Sequence, residues 1–199
     1  MKRALFSTTD KTGLEMFKPL FDTTKWEFIS TEGTARHLSG LGMPCLEVES
    51  ITRFPEMLDG RLKTLHPRIH GGILADRHRP EHMRQIKRKR IKPIDLVVVN
   101  LYNFKAKPHI ENIDIGGPTL LRAAAKNAAS VIVIVNPLDY EWIIKRLLKE
   151  GDIDEFSRER LARDVFEHTG QYDQMIAEWM TEEHENRRPF LTTAETSVH

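Results

Sequence analysis

Two short segments of the sequence are rich in the residue types that bind phosphate. Residues 7–13 read Ser-Thr-Thr-Asp-Lys-Thr-Gly, and residues 30–34 read Ser-Thr-Glu-Gly-Thr. Hydroxyl donors, backbone N–H groups and a lysine at the start of a helix are the groups that a bound phosphate requires. Either segment alone suits an ordinary helix cap equally well. Together they favour a phosphorylated ligand held between two turns.

A long polar stretch, residues 54–72, has two prolines, three glycines, two histidines, two arginines and a lysine. A loop of this length inside a compact domain is more often functional than not. His66 and His70 are four residues apart, but Pro67 between them is expected to interrupt a helix. No cysteine or carboxylate beside them completes a zinc site, so we expect structural, hydrogen-bonded histidines.

Two further groups of polar residues follow apolar runs. Asn100 and Tyr102 offer an amide and a phenol, which recognise a heterocycle or a carboxamide edge. The pair Gly116-Gly117 allows a tight turn, and Pro118 suits the first position of a helix. The free N–H groups at such a helix start form a natural oxyanion site.

Arg122 and Lys126 are four residues apart and share one face of that predicted helix. The alanines at 123–125 suit burial against a sheet, which argues against full exposure of the two cations. Residues 87–92 form the basic cluster Lys-Arg-Lys-Arg-Ile-Lys, which we interpret as a solvated helix end.

Five β-branched or aliphatic runs predict the strands that position these residues. The two later runs are apolar on both faces, which is typical of central parallel strands covered by helices on each side. Helical patterns alternate with the runs, so we predict a three-layer α/β/α fold with a mainly parallel five-stranded sheet. In such a sheet ligands bind outside the carboxyl ends of the strands. The predicted strands are Arg3–Ser7, Trp26–Thr31, Pro44–Val48, Asp95–Tyr102 and Ser130–Asn136, and the predicted helices between them are 14–21, 35–41, 81–90 and 118–127.

Beyond the fifth strand the pattern is helical only. Asp139 is expected to cap a helix that runs to Lys149, and Ser157 to cap a longer one. The expected organisation is a nucleotide-binding core over 1–137, helices packed on it over 138–180, and a flexible tail over 181–199.

Composition excludes several classes of protein. The 199 residues carry 30 Lys and Arg against 29 Asp and Glu, a formal charge of +1, which disfavours a nucleic-acid or membrane-surface protein. One cysteine, Cys45, allows neither an internal disulfide nor a thiolate metal cluster. The apolar runs are far shorter than the ~20 residues that span a bilayer, and the start lacks the apolar stretch of a secretory signal. We therefore expect a cytoplasmic protein.

The motifs together resemble the inosinate (IMP) cyclohydrolase domain, the N-terminal half of a bifunctional purine-biosynthesis protein with a methylglyoxal-synthase-like fold. The resemblance covers roughly residues 3 to 180. Beyond the segments quoted above it rests on Phe-Pro-Glu-Met-Leu-Asp-Gly-Arg-Leu-Lys-Thr-Leu-His-Pro (54–67), His-Gly-Gly-Ile-Leu-Ala (70–75), Asn-Leu-Tyr (100–102), Ile-Asp-Ile-Gly-Gly-Pro-Thr-Leu-Leu-Arg-Ala-Ala-Ala-Lys-Asn (113–127) and His-Thr-x-x-Tyr-Asp (168–173).

The resemblance implies ring closure of formamidoimidazole carboxamide ribotide to inosine monophosphate and water, without metal or cofactor. It implies Lys126 as the main proton donor and acceptor, assisted by Lys63, Tyr102 and Asp114. The N–H groups near Ile115 and Gly116 are expected to hold the oxyanion. The implied substrate-binding residues are Ser7, Thr9, Asp10, Lys11, Thr12, Thr31, Glu32, Gly33, Thr34, Arg61, Leu62, Thr64, Asn100, Leu101, Ile115 and Gly116.

One departure from the family pattern concerns the second turn, where Glu32 replaces a usual glycine. A carboxylate in a phosphate site repels the ligand unless the side chain points away. The companion transformylase domain is not recognisable after Trp179, so we expect a stand-alone form or a fragment.

Two other functions stay open at this point: a methylglyoxal synthase, and a nucleotide-sensing regulatory module of the same fold. The resemblance also implies a homodimer, with a separate transformylase acting upstream as a further partner. We expect no nucleic-acid or membrane partner.

Overall fold

Five parallel strands form one sheet, in the order β3-β2-β1-β4-β5, in the computed structural model, which describes residues 1–185. Each predicted run contains one strand, so the predicted α/β sheet is confirmed, and it is parallel throughout. The strands are β1 (Lys2–Ser7), β2 (Trp26–Ser30), β3 (Leu46–Glu47), β4 (Leu96–Val99) and β5 (Ile132–Ile134). Strand β3 is shorter than predicted because a helix begins at Val48.

Helices cover the sheet on both sides. They are α1 (Lys18–Asp22), α2 (Glu32–Gly40), α3 (Val48–Thr52), α4 (Pro67–Leu74), α5 (Pro80–Arg88), α6 (Gly116–Lys126), α7 (Tyr140–Glu150) and α8 (Glu155–Glu185), with short 3₁₀ turns at Leu14–Phe17, Leu58–Gly60, Phe104–Ala106, Ile110–Asn112 and Pro137–Asp139. Helix α1 packs on β2 and α7, whereas α6 packs on β4, β5 and α8. The β1–β2 and β4–β5 crossovers run in opposite directions across the sheet. Right-handed connections therefore place α1 and α6 on opposite faces.

The central strands are buried on both faces, as their continuous apolar runs predict. Ala4, Leu5 and Phe6 of β1 have no exposed surface, and every residue of β4 is at most 1% exposed. Each large apolar side chain buried in this way contributes roughly 1.5–3 kcal/mol of transfer free energy. The sheet is thus a rigid base for the loops at its edge.

The stretch 54–72 is less irregular than predicted, because Pro67 begins a helix instead of interrupting one. Proline at the first position of α4 costs no hydrogen bond, since the first N–H groups of a helix have no internal partner. The His66 imidazole caps this helix, with Nδ1 accepting the Arg68 backbone N–H at 3.0 Å. His66 is therefore a structural residue, as expected.

Two predicted caps are wrong in detail. The Asp139 carboxylate does not cap α7 and instead accepts the Trp142 indole N–H at 2.7 Å. Helix α8 begins at Glu155, and Asp154 rather than Ser157 accepts the free N–H groups at its start. The helix also continues through Glu185, past the predicted start of a tail at 181. The remainder of that predicted tail lies outside the described residues.

Parallel strands bring all their carboxyl ends to one edge of the sheet. The loops after β1, β2 and β4 and the start of α6 meet there. Among residues 1–185, no helix is long and apolar enough to cross a membrane.

Candidate active site

The loop after β1 is fixed by Asn100, which follows β4 on the neighbouring strand. The Asn100 Oδ1 atom accepts the backbone N–H groups of Thr9 at 2.6 Å and Asp10 at 3.0 Å. Its Nδ2 atom donates to the Asp10 carbonyl at 2.7 Å. Both halves of the amide are used, so Asn100 shapes the predicted phosphate loop instead of standing free for a base.

Lys11 and Asp10 in the loop after β1 form hydrogen bonds with other groups of the same loop. The Lys11 ammonium donates to the carbonyls of Thr8 at 3.0 Å and Thr9 at 3.3 Å. The Asp10 carboxylate accepts the Thr12 hydroxyl and N–H, and these two hydrogen bonds hold the pKa of Asp10 below its ordinary value. Ser7, at the end of β1, is half-buried. An incoming phosphate would take over the Lys11 ammonium from the two carbonyls.

The second turn, between β2 and α2, packs directly on this loop. The buried Thr34 hydroxyl donates to the Thr8 carbonyl at 3.0 Å. The Thr8 N–H in turn approaches the Thr34 hydroxyl oxygen at 3.4 Å. Residues 31–33 lead into α2, and Thr31 at its start makes no side-chain cap, so the first N–H groups of α2 face outward. The two predicted phosphate turns are therefore neighbours.

Glu32 lies at the exposed start of α2. Its carboxylate pairs with Arg36 one turn later at 3.6 Å. Glu32 also borders a small cavity of about 70 Å³ that Thr31, Lys63 and His66 line. Its charge is partly offset by Arg36 but still lies beside the predicted phosphate turn.

Lys63 reaches the same cavity from the loop before α4. Its ammonium forms an ion pair with the Glu56 carboxylate at 2.6 Å, and its side chain is about one quarter exposed. Arg61, two residues earlier, pairs with Glu111. Leu62 between them is exposed and lines the same cavity.

Asp114 is the carboxylate most enclosed by backbone N–H groups at this edge. Its Oδ1 atom accepts the Gly117 N–H at 2.8 Å, at the start of α6. Burial raises the pKa of the Asp114 carboxyl above its ordinary value, and hydrogen bonds from the N–H groups of Gly117, Tyr102 and Gly116 oppose that rise. A raised pKa makes this carboxylate a stronger base than an exposed aspartate, which suits it to accept a proton.

The two glycines that open α6 are required by close contacts. A Cβ atom on Gly117 would stand 2.5 Å from Asp114 Oδ2 and 2.7 Å from the Leu101 side chain. A Cβ on Gly116 would stand 2.9 Å from the hydroxyl of the buried Thr64. Thr64 and Asp114 therefore meet at the first turn of α6, which starts two residues earlier than predicted. Ile115, just before it, is largely exposed.

The structure does not bring Lys126 to this place. Helix α6 begins at Gly116 and ends at Lys126, about 15 Å away at 1.5 Å per residue. It returns the chain from the carboxyl edge of the sheet to the amino edge, where β5 starts. Arg122 and Lys126 are both exposed, whereas the three alanines between them are buried, so the alanines do not shield the cations. The structure therefore does not bring Lys126 beside Asp114 within one chain, and a catalytic role for Lys126 stays a prediction from the resemblance.

Tyr102 borders a second, larger groove. Its side chain is 55% exposed. The groove has a volume of about 710 Å³ and runs between the edge of the sheet and α8, past Asp10, Asn100 and Tyr172. Some of the predicted site residues thus line two depressions: Thr31, Glu32, Leu62 and Lys63 line the small cavity, and Asp10, Asn100, Leu101 and Tyr102 line the groove.

Tyr172 is the residue of this region that the sequence analysis did not assign. Its hydroxyl accepts the Asp114 backbone N–H at 2.8 Å. The only signal was its position in the motif His-Thr-x-x-Tyr-Asp, to which no role was attached. No periodicity predicts a hydrogen bond between residues 58 positions apart.

Metal binding has no support among the described side chains. Within residues 1–185, no group of three or more His, Cys, Asp or Glu side chains is arranged to hold an ion.

Comparison with protein families gives two matches along the chain. Residues 13–132 match the MGS-like domain, and residues 124–198 match the AICARFT/IMPCHase bienzyme. The first match covers more than half of the chain and ends within β5. The helices after β5 belong to the second.

Several relatives carry the name bifunctional purine biosynthesis protein PurH. The one from Halalkalibacterium halodurans is 50% identical over 190 residues, which is 91% of this chain and 37% of the relative. The one from Streptococcus mutans is 48% identical over 197 residues, 94% of this chain and 38% of the relative. The chain spans little more than a third of the length of these relatives.

One solved structure is similar over nearly its whole length. It is titled crystal structure of ForH, with a TM-score of 0.79 and 33% sequence identity, over 89% of this chain and 97% of that one. The family matches and the PurH relatives confirm the resemblance that the motifs carry. The chain belongs to the family of MGS-like domains, and its relatives within that family include the bifunctional purine biosynthesis proteins PurH.

Proposed function

We propose that this chain is an IMP cyclohydrolase, which closes the ring of formamidoimidazole carboxamide ribotide in purine biosynthesis. The carboxamide nitrogen of the substrate attacks the formyl carbon of the same molecule, and a new C–N bond forms. The nitrogen loses a proton and the formyl oxygen gains one, giving a tetrahedral carbinolamine. Loss of the hydroxyl group with a further proton then releases water and leaves inosine monophosphate.

The observation that carries the proposal is the setting of Asp114. An amide nitrogen is a weak nucleophile and a formamide carbon a weak electrophile, but both belong to one substrate. The enzyme therefore has to hold them in attack geometry, stabilise the oxyanion and move protons. Asp114, buried among N–H groups and with a raised pKa, is suited to accept the proton of the nitrogen.

The charges around Asp114 support the remaining steps. Lys63 precedes Thr64, whose hydroxyl lies beside the start of α6, and its ammonium, now paired with Glu56, would offset negative charge on the oxyanion. The exposed phenol of Tyr102 would donate a proton to the departing hydroxyl. We therefore assign the proton transfers to Asp114 and Tyr102, and the stabilising charge to Lys63.

The phosphate group has a separate place in this proposal. The two interlocked turns after β1 and β2 offer N–H groups, hydroxyls and Lys11 at the carboxyl edge of the sheet. A ribotide bound there by its phosphate extends its base towards Lys63 and Asp114. The Glu32 carboxylate lowers the affinity for a dianion and is the weakest part of this fit.

An absorbance assay with the formylated ribotide tests the function directly. We expect turnover by the purified chain, and a loss of at least about a hundredfold in Asp114→Asn, because general base catalysis contributes 10²–10⁴-fold. Absence of turnover in the unaltered chain would overturn the proposal. Binding of inosine monophosphate without turnover would then indicate a regulatory module. Release of methylglyoxal from a triose phosphate would indicate a synthase.

A homodimer, a transformylase that acts upstream and a cytoplasmic location remain predictions from the resemblance. Sedimentation of the purified chain measures the first of them, and we expect a species of twice the chain mass.

A further inference from the structure

Helix α8 reaches back to the proposed catalytic carboxylate through a single side chain. The Tyr172 hydroxyl oxygen accepts a hydrogen bond from the Asp114 backbone N–H at 2.8 Å. Tyr172 is 5% exposed, although it lies on a helix that is largely exposed elsewhere. The contact joins two segments that share neither a strand nor a helix.

The tyrosine ring is itself held by aromatic packing. It meets the buried Phe104 ring nearly edge-on, with centroids 6.3 Å apart. Phe104 in turn packs edge-on against Trp179, one helical stretch further along α8, at 5.3 Å. The Tyr172 ring therefore packs where α8 meets the 3₁₀ turn after β4, beside its hydrogen bond to Asp114.

The hydrogen bond fixes the one part of Asp114 that the start of α6 leaves free. The carboxylate is held by the Gly117 N–H, whereas its own backbone N–H points to α8. Residue 114 also precedes α6, so no helical hydrogen bond orients its peptide. The N–H groups that hold the carboxylate and the Tyr172 hydroxyl that holds the backbone N–H together restrict the position of Asp114.

Helix α8, which supplies Tyr172, lies outside the part of the chain that matches the MGS-like domain. The match to the MGS-like domain ends at residue 132, and Tyr172 lies in the part that matches the AICARFT/IMPCHase bienzyme. Helix α8 thus adds to the MGS-like domain a residue, Tyr172, that contacts Asp114 at the carboxyl edge of the sheet.

We propose that Tyr172 is a positioning residue for ring closure, whose hydroxyl holds the Asp114 peptide so that the carboxylate faces the attacking nitrogen. The inference rests on the proposed cyclohydrolase function. Tyr172 acts through Asp114 and touches no reacting atom. Its loss should therefore affect the chemical step and leave substrate binding unchanged.

The test replaces the hydroxyl alone. In Tyr172→Phe the ring and its packing remain, and we expect kcat to fall about ten- to a hundredfold, because small misplacements of a reacting group have effects of this size. KM should stay within about twofold of its original value, since the phosphate turns are untouched. A kcat within about twofold of the original, or a KM that rises in step with the loss of kcat, overturns the inference.

A second variant separates positioning from general loosening of α8. Phe104→Leu removes the aromatic contact but retains the hydroxyl, so it should lower the melting temperature and leave kcat within about twofold. If Phe104→Leu lowers kcat as much as Tyr172→Phe does, the effect is structural and the inference is wrong.

Amide hydrogen exchange at Asp114 gives a readout that does not need activity. We expect protection in the unaltered chain and in Phe104→Leu, and faster exchange in Tyr172→Phe. Equal exchange rates at Asp114 in all three proteins contradict the inference. A chain that shows this pattern but turns over no ribotide refutes the proposed function while confirming the contact, so the two failures are distinguishable.

Discussion

Asn100 Nδ2 donates to the carbonyl of Asp10 at 2.7 Å, across 90 residues of sequence. The same side chain accepts two N–H groups from that loop, so one amide satisfies three backbone groups after β1. The amide of a free Asn100 would recognise a purine edge. The amide in this structure builds the turn on which the phosphate is proposed to rest.

Replacing Asn100 by aspartate tests this role. Asn100→Asp retains an acceptor for the two N–H groups but places an oxygen against the Asp10 carbonyl. We expect the affinity for inosine monophosphate to fall about tenfold, because the loop loses one of its three hydrogen bonds to Asn100 and gains a negative charge beside the proposed phosphate site. Calorimetric titration measures it.

Asn127→Asp is the matched control for that substitution. Asn127 Nδ2 also donates to backbone carbonyls, at 2.6 Å to Ile73, but near the opposite end of α6. In this variant the free energy of unfolding should fall, and the affinity for inosine monophosphate should stay unchanged. Equal affinities in the two variants would mean that Asn100 does not shape the phosphate turn.

Gly117→Ala should displace the Asp114 carboxylate. The added Cβ would stand 2.5 Å from Asp114 Oδ2 and 2.7 Å from the Leu101 side chain, both inside contact distance, so the carboxylate would have to shift. We expect turnover to fall at least tenfold and the free energy of unfolding to fall by about 1–3 kcal/mol. Steady-state kinetics and urea unfolding measure the two effects.

The control for that variant is Gly170→Ala in α8, where a Cβ would meet nothing within 4 Å. Alanine is favoured over glycine in a helix interior by about 0.5–1 kcal/mol. This variant should therefore be slightly more stable and fully active. A Gly117→Ala protein that behaves like Gly170→Ala would show that Asp114 tolerates displacement.

The acid limb of the pH profile should report Asp114. Burial raises the pKa of this carboxyl above its ordinary value of 3.8. A general base is active only when deprotonated, so kcat should fall as the pH decreases through this raised pKa. The limb should lie above the pH at which an exposed aspartate titrates. We expect the carboxyl ¹³C shift of Asp114 to titrate at the same pH, and a limb that persists unchanged in Asp114→Asn would contradict the assignment.

Thr34→Val should weaken the link between the two phosphate turns. The Thr34 hydroxyl is buried and donates to the Thr8 carbonyl, which also accepts from the Lys11 ammonium, so its removal costs one of these two hydrogen bonds. We expect a loss of about 0.5–1.5 kcal/mol in unfolding free energy and a weaker affinity for inosine monophosphate. Thr181→Val removes an exposed hydroxyl that donates within α8 at 2.9 Å and should change neither. Thermal unfolding with and without the nucleotide compares them.

The sheet was predictable because its signal is local. In runs such as residues 131–135, apolar and polar residues do not alternate, so both faces of the strand are buried. This pattern can be read from consecutive residues alone. The neighbouring positions of the two phosphate turns followed from the parallel sheet. The start of α4 was not predictable from Pro67 alone, because proline both breaks helices and begins them.

The site was less predictable than the sheet, since its contacts are between distant residues. Asp114 lies just before the helix that connects β4 to β5, and Lys126 lies at its end. A helix between two parallel strands runs from the carboxyl edge of the sheet to the amino edge, which places Lys126 far from Asp114. Tyr172 and Asn100 act on backbone groups 58 and 90 residues away, a relationship that no local pattern carries.

The bond between Asn100 and the loop after β1 has a consequence for how the protein matures. While β1 and β4 are still apart during folding, the residues of the proposed phosphate turns are not yet arranged to bind an anion. Contacts that close loops of this length form late during folding. In the proposed function the nucleotide therefore binds only the completed sheet, and a ligand that binds only the folded chain also protects it from unfolding.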